Sequence, residues 1–160
     1  MAAQMMDIGM EERESLWFHE PMKPINLMNP IVLAYIGDAV FEVLVRQYLI
    51  SLPNHKPNHL HKQATQFVSA KSQYLILEKW RPHLTEEESD MIRRGRNAKS
   101  GTMPKNADPA HYKQATALEC LVGYLYYGKR IARLRELMEI AFGETAETSD
   151  NVASKENHNE

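Results

Sequence analysis

Only one cysteine, Cys120, occurs in the 160 residues, so no disulfide can close within the chain. That excludes the disulfide-stapled class of small secreted domain and makes a reducing cytoplasm the expected location. No apolar run approaches the roughly 20 residues that span a bilayer, so no membrane helix is expected. Residues 1–20 lack both the cationic start and the apolar stretch of a secretory signal, so no signal peptide is expected either. Strand-like alternation and internal repeats are also missing. What remains is a chain of single-domain length with 43% hydrophobic and 25% charged residues, ordinary values for a globular protein with a real core.

The formal net charge of -2 conceals an uneven distribution. Residues 1–20 and residues 143–160 each carry -4, which leaves +6 for residues 21–142. A basic middle between acidic ends favours a polyanionic partner, although many basic domains have none. Three regions follow: an N-terminal tail (1–20), a folded domain (21–142) and an acidic tail (143–160) rich in Glu, Ser, Thr and Asn that is expected to be disordered.

Punctuation in the middle region is helical throughout. Asn29-Pro30 pairs a good N-cap with Pro at the first helical position and predicts a helix to about Ile50, before Pro53. Pro57 opens a second, through Phe67. A third covers roughly Ser72 to Arg81 and stops at Pro82. Thr85 and Glu88 have capping-box spacing and start a helix that runs towards Asn97. Gly101 to Asn106 reads as a loop. Asp108-Pro109 repeats the cap and Pro signal for a helix to Tyr127, with Gly128 as terminator. The last helix is expected from about Lys129 to Phe142, before Gly143. The class is all-α, a helical bundle.

Two of these helices are apolar nearly all round, yet each carries an acid. Asp38 lies in Pro30 to Val45, beside Gly37; Glu119 lies in Ala115 to Tyr127, close to Gly123. A carboxylate in such a setting is costly unless something satisfies it. The bland possibility is an Arg or Lys partner, or exposure to water. The functional possibility is that the two helices pack and the two acids share one divalent cation, a hard-cation site with oxygen ligands. A second cluster is cationic: Arg93, Arg94, Arg96 and Lys99, followed by Lys105 and Lys113. Charge density alone divides evenly between a phosphate-binding edge and a solvated helix end, where cations are favoured anyway.

The segment Tyr35-Ile-Gly-Asp38-Ala-Val-Phe-Glu42 resembles the signature helix of ribonuclease III, Leu-Glu-Phe-Leu-Gly-Asp-Ala-Val-Leu. Thr116-Ala-Leu-Glu119-Cys-Leu-Val-Gly123 resembles its second acidic motif, Asp-x-x-Glu-Ala-x-x-Gly. Order and spacing also fit, with Arg93-Arg-Gly-Arg-Asn-Ala-Lys99 between them, and the resemblance covers roughly Met28 to Phe142. It is nearest to the short bacterial branch, Mini-ribonuclease III, which has the nuclease domain and no double-stranded RNA-binding domain.

This resemblance implies a dimeric ribonuclease III endonuclease domain. It implies cleavage of double-stranded RNA that leaves a 5′-phosphate and a 3′-hydroxyl, with precursor large-subunit (23S) ribosomal RNA as substrate. Asp38 and Glu119 become catalytic metal ligands for Mg2+, with Mn2+ as a possible substitute. Arg93, Arg94, Arg96, Asn97, Lys99 and Lys105 become RNA contacts. Ile31, Ala34, Tyr35 and Phe41 become candidates for a homodimer interface. Full-length family members carry two further carboxylates where this chain has Ala34 and Thr116, which leaves more of the cation's shell to water. It also keeps open a non-catalytic module that binds structured RNA or ribosomal particles.

Other residues read more plainly. Glu42, one turn beyond Asp38, could reach the same cation but reads first as structural. His55, His59 and His61 lack Cys partners and read as surface groups, not zinc ligands. Cys120 reads as a buried small hydrophobe. Tyr124, Tyr126 and Tyr127 read as core or interface, and Arg130, Arg133 and Arg135 as a polar helix face.

Overall fold

The computed structural model describes residues 18–99 and 101–156, with side chains through Gly143. Apart from residues 18–20, the N-terminal tail lies outside the described residues. Six α-helices follow a single 3-10 turn at Ile25–Leu27: α1 (Pro30–Ser51), α2 (Pro57–Val68), α3 (Ala70–Trp80), α4 (Glu86–Asn97), α5 (Pro109–Tyr127) and α6 (Ile131–Glu156). A second 3-10 turn, Arg81–His83, joins α3 to α4. No strand occurs among the described residues.

Local chemistry sets most of the boundaries. The Asn29 side chain accepts from the Ile31 amide, and Asp108 accepts from the amides of Ala110 and His111. Thr85 and Glu88 complete a reciprocal capping box. Ser69 closes α2 and, through its own side chain, caps α3 at the Ser72 amide. That lets α3 start two residues earlier than the sequence suggests.

Two helix ends differ from expectation. Gly128 has ordinary right-handed geometry, and the left-handed residue after α5 is Lys129, with φ 57°. α6 also runs through Gly143 to Glu156. A glycine inside a helix costs about 1 kcal/mol and is no obligatory stop.

α5 is the hub, packing against α1, α3, α4 and α6. Six consecutive residues, Cys120 to Leu125, are buried, as only a helix enclosed on all sides allows. α1 is different: it buries a stripe of Leu33, Ala34, Gly37, Phe41, Val45 and Leu49 and exposes Val32, Tyr35, Val43 and Ile50. Trp80 is fully buried, and its indole Nε1 donates to the Leu137 carbonyl at 2.7 Å, tying α3 to α6.

One charged pair belongs to this framework. Glu88 is 1% exposed, and its carboxylate accepts from Arg133 Nε at 2.9 Å and Nη2 at 2.8 Å, and from the Thr85 amide at 2.9 Å. Burial alone would raise its pKa. The Arg133 bonds and the Thr85 amide outweigh burial and hold the carboxyl below its ordinary range. Arg133 is thus a structural partner reaching across 45 residues, not part of a simple polar face.

Candidate active site and nucleic-acid interface

Two glycines let α1 and α5 cross with their backbones in contact. A Cβ added at Gly37 would lie 1.7 Å from the Glu119 carbonyl oxygen, and one at Gly123 would lie 2.0 Å from the Leu33 carbonyl oxygen. Any larger residue at either position forces the helices apart. The crossing brings Asp38, next to Gly37, against Glu119. The two acids of the two motifs therefore meet, from positions 81 residues apart in the chain.

Glu119 is half-buried, whereas Asp38 is exposed at the mouth of the site. The Glu119 carboxyl is pushed up to about 8, first by burial, then by the negative charge of Asp38 and a hydrogen bond with it. The amide of Gln73 acts in the opposite sense and favours the ionised form. Among the described residues no Arg or Lys acts on this carboxyl. At neutral pH without a cation, Glu119 holds a proton.

Ala34, one turn before Asp38, is 5% exposed, and the Thr116 hydroxyl donates to the Tyr112 carbonyl of its own helix at 3.0 Å. Neither extends the donor set. Glu42 pairs with Arg46 at 3.0 Å and so is committed to a surface ion pair. Among the described residues no group of three or more His, Cys, Asp or Glu side chains is placed to hold a metal ion. Cys120, beside Glu119 in sequence, is fully buried, and burial pushes its thiol up to about 12, far from nucleophilic use.

The cationic segment divides. Arg94 is half-buried and donates to the backbone carbonyls of Asn26 at 3.3 Å and Met28 at 3.4 Å. It lines a concavity of about 600 Å3 with Lys23, Asn29, Asn97 and Lys99. Lys23 was not singled out in the sequence, and nothing local marks it. Arg93 instead bonds Asp90 and faces a different concavity, shared with Glu86, Glu87 and Arg130. Among the described residues Arg96 reaches only the Asn97 side chain, at 3.4 Å. Lys105 is exposed in the loop before α5.

The interface candidates divide as well. Tyr35 is 82% exposed and Ile31 half-buried, but Phe41 is fully covered and Ala34 nearly so within the single chain. Ala34 and Phe41 are core residues and cannot meet a partner; they belong to the inward stripe of α1, while Val32 and Val43 lie on the outward one.

Comparison with known proteins agrees with this architecture. Residues 31–130 match the ribonuclease III domain model. Curated relatives called Mini-ribonuclease 3 include one from Brevibacillus brevis, 50% identical over 73% of this chain and 87% of the relative. Another, from Enterococcus faecalis, is 44% identical over 81% of this chain and 99% of the relative. A crystal structure of a protein from Fusobacterium nucleatum superimposes with a TM-score of 0.69 at 31% identity, covering 77% of this chain and 98% of that one. With the two acidic motifs meeting at a glycine-lined crossing and relatives matched along most of their length, the chain belongs to the ribonuclease III family and groups with its Mini-ribonuclease 3 members.

Proposed function

We propose that this protein is a magnesium-dependent endoribonuclease that cuts double-stranded RNA, with Asp38 and Glu119 as the protein ligands of its cation. Membership of the ribonuclease III family supports the endoribonuclease class. The observation that carries the site assignment is the meeting of two carboxylates, one of them half-buried, with no cationic side chain among the described residues to neutralise Glu119.

The donor set fits a hard divalent ion. Two carboxylates with no nitrogen or sulfur donor suit Mg2+, which keeps several waters and needs few protein ligands; Mn2+ takes the same ligands. A cation bound there supplies a Lewis acid that activates water and stabilises charge developing on the phosphodiester. Asp38, exposed at the mouth, gives the site its access from solvent. Glu119, behind it, gives up its proton when a cation is bound and then offers a charged oxygen. Gln73 favours that charged state. The products of this chemistry are a 5′-phosphate and a 3′-hydroxyl.

Lys23, Asn97 and Lys99 around one concavity, whose wall Arg94 holds through its bonds to the Asn26 and Met28 carbonyls, with Arg96 and Lys105 near it in sequence, support binding to the phosphates of the duplex. Double-stranded RNA is read through shape, 2′-hydroxyls and phosphates, which such an edge suits. The substrate we favour is precursor large-subunit ribosomal RNA, and the location the cytoplasm. A homodimer through the outward face of α1 is part of the same reading. That face exposes Val32, Tyr35 and Val43 and continues into an apolar groove of about 670 Å3 between α1 and α6, lined by Val40, Leu44, Ile131 and Met138. No helix among the described residues is long and apolar enough to cross a membrane.

The test is incubation with a long RNA duplex in magnesium and in EDTA. The wild type cuts only in magnesium. Asp38→Asn, folded and with unchanged sedimentation, falls below about a hundredth of the wild-type rate, close to 3 kcal/mol of barrier. Near wild-type cleavage by that variant removes the site assignment. Duplex binding without cleavage by the wild type would instead favour a non-catalytic RNA-binding module, the reading that the missing carboxylates at Ala34 and Thr116 leave room for.

A further inference from the structure

Among the described residues Gln73 is the one buried polar side chain of the core besides Glu88, at 2% exposed. Its partner set is the opposite of Glu88's. The Nε2 group is buried and makes no hydrogen bond of ordinary geometry among the described residues. A buried amide donor left open is costly, and a Leu or Met at the same place avoids that cost. α3, which carries Gln73, packs directly on α5, and the amide lies close enough to the Glu119 carboxyl to act on it. A buried donor short of a well-formed hydrogen bond in a close-packed core, next to a carboxyl whose nearest acidic neighbour is Asp38, fits a group kept for another state of the site.

We infer that Gln73 is a positioning residue of the cation site, its side-chain N–H donating to the Glu119 carboxylate when that carboxylate binds a divalent ion. This rests on the cation reading of Asp38 and Glu119. One Glu119 oxygen accepts from Gln73 Nε2 and the other is thereby aimed at the ion, from a helix that carries no ligand of its own. In a site with only two carboxylates the orientation of each matters more than in a site with four. Outer partners of this kind are worth about 10–100-fold in metal affinity.

The test is calorimetric titration of Mg2+ and Mn2+ into the RNA-free protein, with thermal unfolding in EDTA alongside. Gln73→Met keeps the side-chain volume and removes the donor. It is expected to unfold in EDTA at or above the wild-type temperature, because an open polar group has been removed, and to bind the cation about tenfold more weakly. In a Glu119→Gln background the same substitution is expected to leave affinity unchanged, since the carboxylate it acts through is gone. Wild-type affinity in Gln73→Met overturns the inference while leaving the cation site standing. A tenfold loss that persists in full with Glu119→Gln also overturns it, because the amide then acts elsewhere. If Gln73→Met fails to fold, Gln73→Leu takes its place in the same cycle. No cation binding by the wild type refutes the site reading itself, and the inference with it.

Discussion

Glu88 and Glu119 are both acids on helices facing the core, and they are treated in opposite ways. Glu88 is sealed from water and accepts three hydrogen bonds, two of them from Arg133. Glu119 faces another carboxylate, and burial and that neighbour raise its pKa to about 8. A fold seeking stability alone would give Glu119 a cation of its own, as it gives Glu88 an arginine. The difference shows that a buried acid becomes a candidate for function when its compensation is missing, not merely because it is buried.

The sharpest way to break this contrast is to remove compensation from the satisfied acid. Arg133→Met should leave Glu88 buried with Thr85 as its remaining partner. The expected loss is about 3–5 kcal/mol, the usual penalty for stranding one member of a buried pair. Urea unfolding at pH 7 measures it. A loss below 1 kcal/mol would mean that Glu88 reaches water or another partner, and the two acids would no longer differ in kind. Cation binding at Asp38 and Glu119 should survive, because the bonds of Arg133 go to Glu88, Glu136 and the His83 carbonyl.

Next is the converse change. The folded-state pKa of Glu119 is raised from about 4.5 to about 8, so between those pH values the folded chain holds a proton that the unfolded chain has released. Folding takes up a proton in that window, and stability falls as pH rises through it. Glu119→Gln removes the titrating group. In EDTA the variant should match the wild type near pH 4.5 and exceed it at pH 8. The gain is on the order of 1–2 kcal/mol once solvent at a half-buried group is discounted. Adding magnesium should reverse the order, since only the wild type gains strongly from binding the ion. Thermal unfolding at the two pH values, with and without magnesium, checks both halves. A variant less stable than the wild type at pH 8 in EDTA would show that Glu119 is a satisfied structural acid after all.

How much of this could be read in advance follows from the range of each interaction. The starts of α1, α4 and α5 were legible because Asn29, Thr85 and Asp108 cap their own helices within three residues. The early start of α3 was not, because Ser69 serves two helices at once. The Lys129 turn was hidden by Gly128, the residue that ordinarily takes a left-handed conformation, and α6 simply absorbs Gly143. At the site, Asp38 and Glu119 stood out because each interrupts an apolar pattern. Gln73 did not: a glutamine in a mixed helix carries no local signal that its amide is buried beside a carboxyl on α5. Arg133 was misread for the same reason, its partner lying 45 residues away. Ala34 and Phe41 show the limit of an apolar helix without a second one to orient it, since α1 turns them towards the core of the chain itself.

The smallest expected effect extends the same contrast to the cations. Arg93 bonds Asp90, so its charge is already partly matched. Arg94 is spent on the carbonyls of Asn26 and Met28 and holds the chain entering α1. Arg96, Lys99 and Lys105 make no ion pair among the described residues. They are the charges free to replace counterions on a phosphate backbone. Binding to uncut duplex in calcium, across a salt series, separates the groups. Changing Arg96, Lys99 and Lys105 together to Gln should make the slope of log affinity against log salt shallower by roughly three, about one per lost phosphate contact. Arg93→Gln alone should change it by well under one. Arg94→Gln should lower thermal stability along with affinity, because it loosens the segment ahead of α1. Equal slope changes for Arg93 and Arg96 would mean that the Asp90 pair opens on RNA, so a local partner would not mark a cation as structural. No change in the triple variant would return these residues to a solvated helix end and place the RNA-binding edge elsewhere on the chain.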